Sequence, residues 1–202
     1  MQGSLKNTKK ISTASLVKVG ILSAIGYILM FISVPIPMLF PGFLKIDISD
    51  ITALIGGIAI GPWAGILIEL LKNVLQFLTG MSTTGGVGEL ANFLIGSSFV
   101  GTVSVIYSRN SDTKKLIIAL VMGILAMTIV GCITNYLIIL PFYGKIGIPV
   151  EEVVKMGAAI NPLITDKMTF VIWMIAPFNI LKSVMMSLII LPVYKKLEKL
   201  LG

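Results

Sequence analysis

Long apolar stretches alternate along this chain with short clusters of proline, glycine and charge, and the apolar stretches are hydrophobic on every face. Membrane-barrel strands alternate every second residue, so strands are not expected and the pattern predicts helices. The first predicted helix runs from Ser15 to Ser33 and stops where Pro35, Pro37 and Pro41 prevent its continuation. The next stretch, Val34 to Ile46, is an apolar loop. Solvated loops are usually polar, so this one is expected to pack back on the bundle as a lid or plug. Ser49 or Asp50 caps a second helix reaching Gly61. Gly61-Pro62 turns the chain into a third helix that extends to Thr79. A Gly/Ser/Thr loop, Gly80 to Gly88, precedes the fourth helix, Glu89 to Ser108. The polar linker Arg109 to Lys115 leads to a fifth helix that starts at Leu116 and ends before Pro141. Phe142 to Thr165 reads as a mixed, partly helical loop, and Asp166 to Ala176 as a short apolar helix capped by Thr165 or Asp166. Pro177 then begins the sixth long helix, which ends near Tyr194, and Lys195 to Gly202 is a basic helical tail.

Composition turns these helices into membrane helices. The chain is 56% hydrophobic and 12% charged, with a mean hydropathy of +1.00. A soluble domain carries about 25% charged residues, so this chain lacks the polar surface to face water. The expected fold is an all-α membrane protein, a bundle of six transmembrane helices forming a single domain over residues 1–202, with about 10–196 in the bundle. The net charge of +7 then reads as membrane orientation rather than nucleic-acid binding. With both termini cytoplasmic, the inner segments hold Lys6, Lys9, Lys10, Lys18, Arg109, Lys114, Lys115, Lys195, Lys196 and Lys199. The outer segments hold Lys45, Lys145, Lys155 and Lys167, so the bias is ten against four. The uncharged run from Val19 to Leu44 is too long for the core of a cleaved signal peptide and is expected to be retained. There is no histidine, and Cys132 is the single cysteine. That leaves no Cys/His metal cluster, no Ser-His-Asp triad and no internal disulfide. Gly144-Lys145 lacks the flanking residues of a phosphate-binding P-loop.

Polar residues inside the apolar helices carry the candidate chemistry, because buried charge is costly and needs a partner or a polar cavity. Asn179 and Lys182, three residues apart, share one helix face. Placed in the first turns of the sixth helix, they either snorkel to the interface or form a donor pair for a ligand. Asn135, near the outer end of the fifth helix, makes either an interhelical hydrogen bond or a ligand contact. Glu69, Lys72, Asn73 and Gln76 line one face of the third helix. They form either an internal network, with Glu69 and Lys72 neutralising each other, or an ion relay. Glu89 suits the N-terminal dipole of the fourth helix, and Asn92, one turn deeper, is the better ligand candidate. Asp47 and Asp50 are expected to end the lid and cap the second helix. Phe40, Phe43, Trp173 and Phe178 lie on the outer side, either to stack on a flat ligand or to form an interfacial belt. Gly20 and Ala24 are a small-xxx-small pair that allows close helix approach.

Several ordered motifs together resemble a known family. They are Lys45-Ile-Asp47-Ile-Ser-Asp50 leading to Ala53-Leu-Ile, the turn Gly61-Pro62-Trp-Ala-Gly65, Gly88-Glu89-Leu-Ala-Asn92-Phe, and Pro177-Phe178-Asn179-Ile-Leu-Lys182. With the basic N-terminus, six helices and apolar outer loop, they resemble the S components of energy-coupling factor (ECF) vitamin importers. The Pro-Phe-Asn-x-x-Lys stretch is most similar to riboflavin-specific members. The resemblance implies a non-enzymatic binding subunit of the bacterial cell membrane, without cofactor or metal. It would capture riboflavin from outside and deliver it inward with a transmembrane coupling subunit and two cytoplasmic ATPases, which alone use ATP. Asn135, Asn179 and Lys182 would hydrogen-bond the flavin, joined by Asn92, while Phe40 and Leu44 of the lid would cover its ring. Gly20 and Ala24 would meet the coupling subunit. Three other readings compete: an S component for another vitamin, a self-sufficient secondary transporter using the Glu69–Lys72 face, and a membrane enzyme.

Overall fold

Ser12 caps the first helix, its hydroxyl accepting the Ser15 amide proton at 3.1 Å, and α1 follows over Thr13–Met30. The computed structural model describes residues 12–82, 84–107 and 112–201; the features expected at Lys6, Lys9, Lys10, Ser108 and Arg109 lie outside them. The chain continues through α2 (Asp50–Ala59), α3 (Pro62–Leu78) and α4 (Val87–Ile106). It closes with α5 (Thr113–Lys145), α6 (Val150–Ala158), α7 (Lys167–Ile190) and α8 (Tyr194–Leu201). Four of these, α1, α4, α5 and α7, are long and apolar enough to cross a membrane. The ten-residue α2 spans about 15 Å at 1.5 Å per residue, roughly half a hydrocarbon core.

The apolar connection between α1 and α2 does fold back, but not as a plain loop. Val34–Pro35 (β1) and Lys45–Ile46 (β2) pair antiparallel, with Val34 opposite Ile46 and Pro35 opposite Lys45. This short ribbon departs from the strand-free expectation. Phe40 and Ile46 tuck inward, while Met38 at the tip is 88% exposed.

Two prolines behave differently from expectation. The fifth helix does not end before Pro141, and no new helix begins at Pro177: α5 and α7 run straight through them. An interior proline lacks an N–H, and its ring collides with the carbonyl four residues back. Each helix resolves this by widening into a π turn immediately upstream, Asn135–Ile139 before Pro141 and Val171–Ile175 before Pro177. The Leu140 amide donates to the Asn135 carbonyl, and the Ala176 amide to the Val171 carbonyl, five residues back in both cases. Such single-turn π segments are frequent at functional sites. The consequence is one of depth. Asn179 and Lys182 lie about 18 and 22 Å along the axis from Lys167 at 1.5 Å per residue, in the middle of α7 rather than in the first turns of a helix.

Apolar packing forms two cores. One gathers Leu54, Ile68, Phe99, Val103, Met127 and Ile190. The other gathers Phe40, Ile46, Tyr143, Phe170, Met174 and Phe178. Ala91 of α4 packs against both. At the first core's far end, the ring of Tyr194 meets that of Tyr107 edge-on at 5.9 Å and its hydroxyl lies 2.8 Å from that of Thr113, which seats α8.

Between α2 and α3 the backbone turns at Gly61, whose φ of +136° is open to glycine and strained for any other residue. Gly61→Ala is therefore expected to destabilise the protein by about 1–3 kcal/mol, read as a lower thermal unfolding midpoint in detergent.

Candidate ligand-binding site

A cavity of about 310 Å³ lies where the C-terminal ends of α1, α3 and α5 meet the N-terminal half of α4 and the middle of α7, beneath the ribbon segment. Its apolar wall draws on both cores: Ile95 and Met127 from one, Ile139, Tyr143 and Phe178 from the other. Asn92, Asn135, Asn179, Lys182 and Leu44 all border it, so five of the six expected ligand contacts come together. Phe40 does not border the cavity; it stands behind the wall, edge-on to Phe178 at 5.3 Å. Phe43 takes a wall position instead, and Trp173 sits half-exposed on the periphery.

Lys182 has partners that the sequence did not disclose. Its Nζ lies 3.1 Å from Asp47 Oδ2, 3.0 Å from Asp50 Oδ2 and 3.4 Å from Asn92 Oδ1. Asp50 turns its other oxygen to Lys72. Lys72 in turn donates to Ser49 Oγ at 2.8 Å and faces Glu69 Oε2 at 3.0 Å. The result is a row, Asp47–Lys182–Asp50–Lys72–Glu69, in which no residue is more than 5% exposed. It holds three carboxyl groups against two ammonium groups. Glu69 closes the row with neither oxygen receiving a hydrogen bond. It packs so tightly on α4 that a Cβ at Gly96 would stand 2.8 Å from its Oε2.

Three expectations change accordingly. Asp47 and Asp50 are counter-ions, not caps, and Ser49 makes no side-chain capping bond to α2. Asp47 Oδ1 instead accepts the Ser49 amide proton at 2.9 Å and the Ser49 hydroxyl, which stiffens the entry to α2. Glu69 and Lys72 are not a self-contained pair, because Lys72 also serves Asp50. The polar face of α3 divides, with Glu69 and Lys72 in the row and Gln76 at the cavity. Glu89 is more than a dipole partner. It borders the cavity while its Oε2 accepts from Ser82 at 2.9 Å and Thr84 at 3.4 Å, anchoring the loop before α4.

The two asparagines are held alike. Asn135 Nδ2 donates to the Gly131 carbonyl and Asn179 Nδ2 to the Ile175 carbonyl, each at 2.8 Å. A carbonyl can only accept, so each amide nitrogen is fixed toward the backbone, which leaves each amide oxygen for the cavity. On α1, Gly20 and Ala24 lie on the exposed face with Ile21 and Ile28, and nothing stands within 4 Å of a Cβ built at Gly20. Among the described residues, no group of three or more His, Cys, Asp or Glu side chains is arranged to hold a metal ion.

Helices long and apolar enough to cross a membrane, around a cavity of mixed polarity, define a membrane protein with room for a small molecule, and comparison with known proteins gives it a family. The ECF transporter, substrate-specific component, family model matches residues 14–194, and the chain belongs to that family, a transport component rather than an enzyme. Riboflavin transporter RibU of Staphylococcus aureus is 37% identical over 186 residues, covering 92% of this chain and 91% of that protein. Riboflavin transporter FmnP of Bacillus subtilis is 36% identical, covering 91% of each. A solved structure described as the S component of a bacterial ECF transporter superposes with a TM-score of 0.71 at 35% identity, covering 93% of this chain and 97% of that one.

Removing the Lys182 ammonium leaves buried Asp47 without a cation and Asp50 with Lys72 alone. Lys182→Met is expected to cost about 3–5 kcal/mol, measured as thermal unfolding of the ligand-free protein. Asp47→Asn in the same background should recover part of that loss; two additive losses would show that the ion pair is not what Lys182 contributes.

Proposed function

We propose that this chain is the riboflavin-binding S component of an ECF importer, capturing the vitamin from outside the cell for delivery inward. The observation that carries the reading is the cavity: an apolar wall crossed by two asparagines whose amides are fixed by their own backbone. Riboflavin offers a flat apolar ring system, imide-type carbonyls and N–H, and a chain of hydroxyls. The fixed amide oxygens offer acceptors to the imide N–H, the Lys182 ammonium is a donor for a carbonyl, and Asn92 and Glu89 offer acceptors for hydroxyls. Family membership and the names of the two relatives support the same ligand. On this reading Asn92, Asn135, Asn179, Lys182 and Leu44 contact the flavin. Phe40 acts from behind by holding Phe178, and the segment between α1 and α2 closes the cavity.

The finer topology of this proposal has six membrane segments, α1 to α5 and α7, in one domain, with both termini cytoplasmic. Supporting it, α1, α3 and α5 bring their C-terminal ends to the cavity while α4 brings its N-terminal half. The excess of basic residues at the other end points the same way. The exposed small-residue face of α1 at Gly20 and Ala24 would dock a transmembrane coupling subunit, with two cytoplasmic ATPases supplying the energy. A self-sufficient secondary transporter needs a charge free to change partners. Lys72, held by Asp50, Glu69 and Ser49, does not offer one, which favours the binding-subunit reading.

Protein purified from rich medium is expected to carry a near-stoichiometric flavin, seen in its visible absorption spectrum. Asn179→Ala and Asn135→Ala should each weaken riboflavin binding at least tenfold in a fluorescence titration. A colourless protein that does not quench riboflavin fluorescence would defeat the proposal. Gly20→Leu should leave that titration unchanged while lowering recovery of the coupling subunit in co-purification. The reverse pattern would give α1 a different role.

A further inference from the structure

The geometry points to Gly131 of α5 as a positioning residue for the ligand-facing amides of both Asn135 and Asn179. The inference rests on the riboflavin-binding reading, in which these asparagines touch the ligand. Gly131 acts through two separate atoms. Its carbonyl oxygen accepts the Asn135 amide at 2.8 Å, one turn along the same helix. Its Cα hydrogen face is where α7 lays the Asn179 amide: a Cβ built on Gly131 would stand 2.6 Å from Asn179 Nδ2 and 2.9 Å from its Cγ. Contacts that short do not occur with a real Cβ, so a side chain here displaces the Asn179 amide. Asn179 has little room to yield, since it is 3% exposed and its Nδ2 is bound to Ile175 O at 2.8 Å on the other side. Pushing it away breaks that bond and turns its amide oxygen off the cavity. The π turn beginning at Asn135 sits immediately after this contact, so the backbone carbonyl that Asn135 uses belongs to the last regular turn before the helix widens. One position thus touches two amides from different helices: its carbonyl orients that of Asn135, and its missing side chain admits that of Asn179. A small, otherwise unremarkable residue, it has no polar side chain to mark it as part of a site.

A double-mutant cycle read by riboflavin titration tests this, using the full chain in detergent. Asn179→Ala is expected to weaken binding at least tenfold, and Gly131→Ala to weaken it by a similar factor. The double variant should bind within about twofold of Asn179→Ala alone, because the clash has no target once the amide is gone. If Gly131→Ala multiplies the loss in the Asn179→Ala background as it does in the parent, the glycine acts elsewhere and the inference is overturned. If Gly131→Ala alone does not fold but the double variant does, the clash with Asn179 is supported directly. If neither folds, Gly131 is a packing glycine and the inference fails. A parent protein that does not bind riboflavin, or an Asn179→Ala variant that binds as the parent does, defeats the riboflavin reading itself and this inference with it.

Discussion

Five charged side chains buried in a row hold the two halves of this bundle in register. Taking an ion out of water into the protein interior costs several kcal/mol even after relaxation, and mutual attraction offsets this only where geometry and additional hydrogen bonds are good. The row meets that condition by sharing. Asp50 divides its two oxygens between Lys182 and Lys72, and Lys72 divides itself among Asp50, Glu69 and Ser49. The three inner members, Lys182, Asp50 and Lys72, each face two charged neighbours, which ties α2, α3, α7 and the segment before α2 together. Where two apolar cores alone would tolerate sliding, the row specifies one arrangement.

The cavity inherits its shape from that arrangement. Lys182 belongs both to the row and to the cavity wall, and Asp47, its partner, follows directly on the ribbon that roofs the cavity. The wall opposite depends on α5 and α7 continuing through their prolines. The π turns rotate the residues that follow them: Asn135 opens one such turn, and Asn179 lies four positions beyond the other. Charge fixes where the helices stand, and the widened turns fix which side chains face inward.

Much of this was legible in the sequence, and the failures share a cause. Apolar runs and turn residues placed α1 to α4 to within a few positions, and the Gly61-Pro62 turn was read correctly. Asn92, Asn135, Asn179 and Lys182 stood out because polar groups are rare in such runs. The prolines misled because the rule that ends helices at proline assumes α geometry, and nothing local announces a π turn. Asp47 and Asp50 looked like caps because their true partners are remote: Lys182 is 135 positions beyond Asp47, and no periodicity spans that distance. Gly131 carried no signal, since its contribution is the absence of a side chain against a helix that the sequence does not place.

The length of that last connection bears on how the protein is made. Asp47, Asp50, Glu69 and Lys72 leave the ribosome long before α7, so during synthesis three acids share a single lysine. The second ammonium arrives only with α7. The early segments are therefore short of a cation until α7 is made, and its arrival both supplies that partner and adds Asn179 and Lys182 to the cavity wall. Completion of the charged row and completion of the cavity wall thus become the same late event, because both wait for Lys182.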